Sequence, residues 1–141
     1  MAELTDEQIA QEEKFLKGLP PFNFGAFILP GIWGIGHGFW ASLLFYPIWL
    51  VLDNLLYGAY RQPEWWTILL AVIAVVIYIA LCVAFGRVCQ PLAAHKAEKK
   101  GLTREQYLKR EKIWLVVCII LAIAALAWAT YYNLTIRPNL Q

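Results

Sequence analysis

The sequence predicts an all-α integral membrane protein with three transmembrane helices and an N-terminal amphipathic or re-entrant element. Composition is the first reason: 60% of the 141 residues are hydrophobic and 16% are charged. A soluble domain has about 45–50% apolar and about 25% charged residues. Distribution is the second reason. Residues 65–86 and 113–134 are uncharged apolar stretches of 22 residues each, longer than the roughly 18 residues that mark a spanning helix.

The N-terminal segment, residues 1–21, is predicted to be a cytoplasmic helix. Thr5 and Gln8 have the spacing of a capping box, in which each side chain bonds the other residue's free backbone N–H. Gly18 and Pro20 then end the helix. Its apolar residues form only a narrow stripe. The segment is therefore expected to lie solvated near the membrane surface, or alternatively to dock a partner.

Residues 22–38 are predicted to form an interfacial or re-entrant segment. No Asp, Glu, Lys or Arg occurs in the 35 residues 18–52. One straight helix of that length would measure about 52 Å, but the hydrocarbon core is about 30 Å thick. Pro30 and the following glycines interrupt the pattern, so the break is expected there. The alternative is a fourth crossing by residues 22–38, which would place the N-terminus outside.

Residues 39–134 are predicted to form the membrane domain of three helices. The first span, 39–57, contains Pro47, which is expected to kink it. Asp53 lies near its far end. A short loop, 58–64, follows between tyrosine and tryptophan residues that resemble an interfacial aromatic belt.

A basic loop, residues 87–112, is predicted to connect the second and third spans. It holds eight of the twelve Lys and Arg residues and three acidic residues. Thr103 and Gln106 form a second capping-box pattern, so a helix should begin there. His95 is expected to be solvated. The positive-inside rule makes this loop and the N-terminus cytoplasmic and the tail 135–141 external.

Two ionisable residues within apolar stretches are candidates for function, because such groups are costly at membrane depth. His37 is expected either to lie half solvated at the interface, bonding a backbone carbonyl, or to carry a proton or ligand. Asp53 is expected to face water near a helix end, or to contact an ion or partner. Gly34 and Gly38 have the G-x-x-x-G spacing of close helix packing.

The sequence lacks the residue patterns of other classes of functional site. The odd set Cys82, Cys89 and Cys118 has no metal-ligand spacing and is expected to pack as buried free thiols. The glycine series lacks the preceding strand and later acidic residue of a nucleotide-binding fingerprint. No catalytic, metal or cofactor site is predicted. The net charge of +2 is too small to indicate a nucleic-acid partner.

Two sequence motifs are distinctive. The first is F-N-F-G-A-F at 22–27, leading into G-I-W-G at 31–34. The second begins with Gly86 and Arg87 and continues to the basic segment 107–114. Together they resemble a family of small bacterial multi-pass membrane proteins classified as a domain of unknown function. This chain departs from the second motif, because Cys89 and Gln90 stand where the family has Gly and Asn, and residues 94–95 replace Trp-Arg. The resemblance implies a bacterial cell membrane and about three spans. It implies no activity.

The sequence therefore predicts a non-enzymatic accessory subunit or interaction partner of a larger bacterial membrane complex, in the inner membrane. The lipid bilayer and a membrane protein, or further copies of this chain, are the expected partners. The alternative is a small homo-oligomeric transporter or channel whose path is lined by the segment from Pro30 to Gly38. Candidate functional or packing residues are Asn23, Pro30, Gly34, His37, Gly38, Asp53 and Arg87.

Overall fold

A computed structural model describes residues 3–141, and no β-strand occurs in that range. Met1 and Ala2, which belong to the predicted N-terminal segment, lie outside the described residues. The α-helices are α1 (Asp6–Leu16), α2 (Phe24–Ile28), α3 (Pro30–Gly36), α4 (Phe45–Arg61), α5 (Trp65–Lys99) and α6 (Arg104–Tyr131). A 3-10 segment, Trp40–Leu44, leads into α4. A π-helical segment, Tyr132–Ile136, and a 3-10 segment, Arg137–Leu140, continue α6.

Three helical stretches of the described chain are long and apolar enough to cross a membrane, as predicted: Trp40–Arg61, Trp65–Lys99 and Arg104–Leu140. The segment 22–38 is not among them. It contributes α2, with five residues, and α3, with seven. At 1.5 Å per residue α3 is only about 10 Å long. The break expected around Pro30 is therefore real, and Pro30 is the first residue of α3.

The prediction of a basic loop at residues 87–112 is wrong. Helix α5 continues through Pro91 to Lys99, and α6 begins at Arg104, so that only four residues connect the two helices. Gly101 adopts a φ of 82°, and the N–H of Leu102 bonds the carbonyl of Ala97, which closes α5 with a glycine C-cap. The basic residues thus lie on the ends of two helices that project beyond the apolar stretches.

Pro47 is the third residue of α4, in the first turn, where its missing N–H leaves no helical hydrogen bond unmade. The 3-10 segment Trp40–Leu44 comes directly before α4, and the kink expected at Pro47 stays a prediction. The tail 135–141 is likewise helical in the main, because the π-helical and 3-10 segments carry α6 to Leu140.

Helix α1 is mostly exposed, as expected, and contacts the rest of the chain through Glu12 and Phe15. The ring of Phe15 stacks on His95 with centroids 3.8 Å apart, and His95 Nε2 lies 2.9 Å from Glu12 Oε1. The guanidinium of Arg104 donates to the Phe15 carbonyl at 2.7 Å. His95 is therefore a packing residue. The predicted Thr5–Gln8 capping box at the start of α1 is confirmed.

The buried core lies at the basic end of the molecule. Residues of α2 and α3 pack there against α5 and α6, around Ala26, Trp33, Ala93 and Tyr107. Helix α4 packs against α5, and aromatic contacts such as Phe45 with Tyr78 join the two helices near the start of α4. The three cysteines are free and buried, as predicted.

Candidate functional site

The side chain of Asn23 joins three elements at the basic end. Its Oδ1 accepts a hydrogen bond from the N–H of Ala26 at 2.9 Å, which caps α2. Its Nδ2 donates to Gln90 Oε1 on α5 and to Glu111 Oε2 on α6, each at 2.9 Å. The backbone N–H of Asn23 donates to the Gly86 carbonyl at 3.0 Å. Three of these four contacts bind α2 to the two long helices, and the fourth is the cap within α2.

The carboxylate of Glu111 lies at the centre of this cluster. Its Oε2 accepts from Asn23 Nδ2 and from the indole N–H of Trp33, both at 2.9 Å. Its Oε1 lies 2.6 Å from Nε2 of His37. The side chain of His37 is 2% exposed and that of Glu111 is 10% exposed. A carboxylate this buried is stable only when such donors satisfy it.

The partners of His37 fix how many protons the pair carries. Nδ1 lies 2.7 Å from the carbonyl oxygen of Trp33, which can only accept, so Nδ1 carries a hydrogen. Nε2 faces a carboxyl oxygen, and one further proton must lie between these two atoms. The pair is therefore either imidazolium with carboxylate or neutral imidazole with carboxylic acid. The carbonyl contact agrees with the sequence prediction, but the ring is buried rather than half solvated.

Gln90 and Tyr107 extend the cluster towards the N-terminal segment. The hydroxyl of Tyr107 donates to Gln90 Oε1 at 2.9 Å. The Gln90 amide donates to the carbonyl of Pro20 at 3.1 Å. Both side chains are buried. The chain leading into α2 is thus attached to α5 as well as to α6.

Aromatic rings cover the His37–Glu111 pair. The indole of Trp33 stacks on the imidazole with centroids 3.9 Å apart, and the ring of Trp114 lies 5.1 Å away. A Cβ added at Gly36 would overlap Trp114, so the ring packs directly on the backbone of α3. These contacts keep water from the pair.

Lys96 caps the C-terminal end of α3. Its Nζ donates to the carbonyl oxygens of His37 at 3.3 Å and Gly38 at 3.2 Å, and lies 4.1 Å from the centroid of the Phe39 ring. A cation at a helix C-terminus satisfies free carbonyls and opposes the helix dipole. Gly38 has a φ of 77°, a conformation that favours glycine.

The other candidates of the broken segment are packing residues of the same chain. Pro30 and Gly34 are buried in α3. A Cβ at Gly34 would overlap the side chain of Ser42, which is itself buried and donates to the carbonyl of Gly31. The close approach predicted from the glycine spacing is thus made within the chain, by the 3-10 segment.

Asp53 and Arg87 lie outside the cluster. Asp53 is at the opposite end of the molecule, where Oδ1 accepts from Asn133 Nδ2 at 2.7 Å and Oδ2 lies 3.9 Å from Arg137. Arg137 also donates to Asn54. This contact joins the end of α6 to α4. Arg87 is exposed on α5.

The sequence prediction does not include four residues of this cluster, namely Trp33, Gln90, Tyr107 and Glu111. One signal was available. The capping box at Thr103 predicts a helix from Arg104, and that helix places positions 107, 111, 114 and 118 on one face. The two buried residues of α6, Tyr107 and Cys118, belong to this face. Gln90 carries no comparable signal, because the charge pattern predicts a loop at its position.

The cluster can hold a shared proton and fix the geometry of four helices. Its acceptors and donors are used within the chain; Asn23, Trp33, His37, Gln90 and Tyr107 are buried, and Glu111 is partly buried. Among residues 3–141, no group of three or more His, Cys, Asp or Glu residues is arranged to hold a metal ion.

Comparison with protein-family models, with curated proteins and with solved structures found no match to this chain. The resemblance in the two sequence motifs therefore stays a prediction.

Proposed function

We propose that this membrane protein is a non-enzymatic accessory subunit or interaction partner of a larger bacterial membrane assembly. The observation that carries the proposal is the surface of α6. After Cys118 no residue of this helix is buried, although the helix continues for three more turns. Its large apolar side chains there, including Ile120 and Ile123, are exposed.

Helix α6 differs in this respect from the pair of helices α4 and α5. Aromatic contacts join about one turn of α4 to about two turns of α5, from Phe45 against Phe85 to Trp49 against Tyr78. Helix α6 is attached mainly at its ends, by the Glu111 cluster and by the contact of Asn133 with Asp53. Helix α6 is thus held at both ends, while its middle turns have no buried residue. This arrangement suits a helix that packs against a second protein.

The polar cluster supports the same role through rigidity. Because Glu111, Asn23 and His37 satisfy one another, the broken segment and α6 are held in one arrangement. A surface that is ordered before binding loses less conformational entropy when a partner docks. In this account the cluster positions α6 and takes no part in chemistry.

The proposed location is the bacterial inner membrane, with the basic end in the cytoplasm. All Lys and Arg residues except Arg61 and Arg137 belong to the predicted N-terminal segment 1–21 or to the segment 87–112, and the contacts of α1 with His95 and Arg104 keep these regions together. Asn139→Cys should react with a membrane-impermeant maleimide in intact cells, whereas Lys100→Cys should react only after lysis. The reverse pattern would invert the orientation.

Purification from the native membrane in mild detergent, with mass spectrometry of the co-purifying proteins, tests the function. One membrane protein recovered at fixed stoichiometry is the expected result. Recovery of this chain alone as a homo-oligomer would contradict the accessory role. It would favour the channel alternative, in which the segment from Pro30 to Gly38 lines a path.

A further inference from the structure

A cleft opens at the end of the molecule opposite the polar cluster, where α4 ends and α5 begins. Its volume is about 440 Å³, within the range of about 300–1,000 Å³ that is usual for small-molecule sites. The lining includes the polar or charged residues Tyr57, Arg61 and Gln62 and the apolar residues Leu55, Trp66 and Leu70. The cleft therefore has both polar and apolar walls.

Arg61 supplies the charge of the cleft. No carboxylate oxygen of residues 3–141 lies within 4.0 Å of its guanidinium. Arg137, the other arginine of this end, contacts Asp53, Asn133 and Asn54. The two cations therefore differ: Arg137 joins helices, while Arg61 remains available to a ligand. A guanidinium binds phosphate oxygens through two parallel hydrogen bonds.

Tyr57 is an independent sign that a polar ligand belongs here. The residue lines the cleft and is 7% exposed, and its hydroxyl oxygen is buried without a hydrogen-bond partner. A buried hydroxyl left unpaired is destabilising, and native proteins leave few of them. An oxygen of a bound ligand would accept this hydrogen bond.

The depth of the cleft indicates the source of the ligand. Trp65 and Trp66 begin α5, and Tyr60 lies near the end of α4, all three of them exposed. Exposed Trp and Tyr residues at the ends of spans lie at the level of the lipid head groups. A membrane lipid that enters the cleft at this level has both a polar head group and an acyl chain, and an anionic lipid also carries a negative charge.

We propose that this cleft binds one anionic phospholipid, with the phosphate on Arg61 and the acyl chain along Trp66 and Leu70. The hydroxyl of Tyr57 donates to an oxygen of the same head group. This site lies apart from the middle of α6, so it does not depend on the proposed partner.

The test is lipid retention by the purified protein. The protein is delipidated, equilibrated with micelles holding equal amounts of phosphatidylglycerol and phosphatidylcholine, and analysed by native mass spectrometry. One bound phosphatidylglycerol is expected. Arg61→Gln should weaken its retention about tenfold to a hundredfold, as loss of a charged hydrogen-bonding group of about 1.5–3 kcal/mol implies. Arg87→Gln, which removes an exposed arginine of α5 outside the cleft, should leave retention unchanged.

A second variant guards against a general loss of structure. Tyr57→Phe removes only the hydroxyl, so it should weaken lipid retention without lowering the stability of the lipid-free protein. Equal retention of the two lipids, or equal effects of the two arginine variants, would overturn the proposal. Displacement of the lipid by millimolar inorganic phosphate would also overturn it, because the head group alone would then explain the binding.

Discussion

Replacement of Glu111 by alanine is the sharpest perturbation of the polar cluster. The carboxylate accepts hydrogen bonds from Asn23 and Trp33 and shares a proton with His37. Glu111→Ala removes these acceptors together and leaves the donors buried. Of the three partners, Asn23 alone keeps a second acceptor for its amide, on Gln90.

The size of the effect follows from the number of orphaned donors. A buried donor without a partner costs about 1–3 kcal/mol, and removal of one member of a buried ion pair costs about 3–5 kcal/mol. Because Asn23 keeps one bond and the neighbouring side chains can relax, we expect a loss of about 3–5 kcal/mol. Glu111→Gln should cost less, since its amide can donate to Nε2 of a neutral His37 while its oxygen accepts from the other two donors.

Unfolding in mixed micelles with increasing sodium dodecyl sulfate measures this loss. Tryptophan fluorescence is a suitable signal, because Trp33 and Trp114 both lie against His37. Glu105→Ala is the matched control. It removes a glutamate from the first turn of the same helix that makes only an exposed pair with Lys109, worth about 0.5 kcal/mol or less. If Glu111→Ala were no more destabilising than Glu105→Ala, the cluster would not hold the helices together.

Three smaller predictions concern packing. Gly34→Ala should destabilise by about 1–3 kcal/mol, because its Cβ would overlap Ser42, whereas Gly58→Ala, with open space around it, should be neutral or stabilising in the same unfolding assay. Phe15→Ala should release α1 and speed tryptic cleavage of that helix several-fold; an unchanged cleavage rate would mean that α1 is held by other contacts. Asp53→Ala should cost about 1–3 kcal/mol through the lost Asn133 bond, and a loss below 0.5 kcal/mol would refute its role in attaching α6.

The features that the sequence predicts well are those set by local physics. The capping boxes at Thr5 and Thr103 are confirmed, because a capping box depends on residues only three positions apart. The three spans follow from uninterrupted apolar length. The break around Pro30 follows from the mismatch between 35 uncharged residues and the thickness of a bilayer.

The continuity of α5 shows where charge misleads. The basic residues after Gly86 suggested a loop, but Lys and Arg are good helix formers, and a helix that leaves the membrane can carry them on a solvated surface. The only Pro in that stretch, Pro91, is accommodated inside α5. The residue types after Gly86 are therefore compatible with a continuous helix, although their charge pattern resembles that of a loop.

The composition of the site could be predicted only in part. Asn23 and His37 attract notice because they are polar residues in an uncharged stretch. Their acceptor Glu111 lies 88 and 74 positions away in the chain and belongs to a segment rich in charge, where one more glutamate is ordinary. Its burial depends on how α2 and α3 fold back onto α6, and this is a tertiary effect without a local pattern.

The proposal that the middle of α6 packs against a second protein is tested most directly by photo-crosslinking from this part of the helix in native membranes. A photoreactive amino acid at Ile123, which is 64% exposed, is compared with the same group at Val76 of α5, which is 61% exposed. We expect a crosslink from Ile123 to one other membrane protein and none to that protein from Val76. Crosslinks to lipid alone at both positions, or to a second copy of this chain at Ile123, would contradict it.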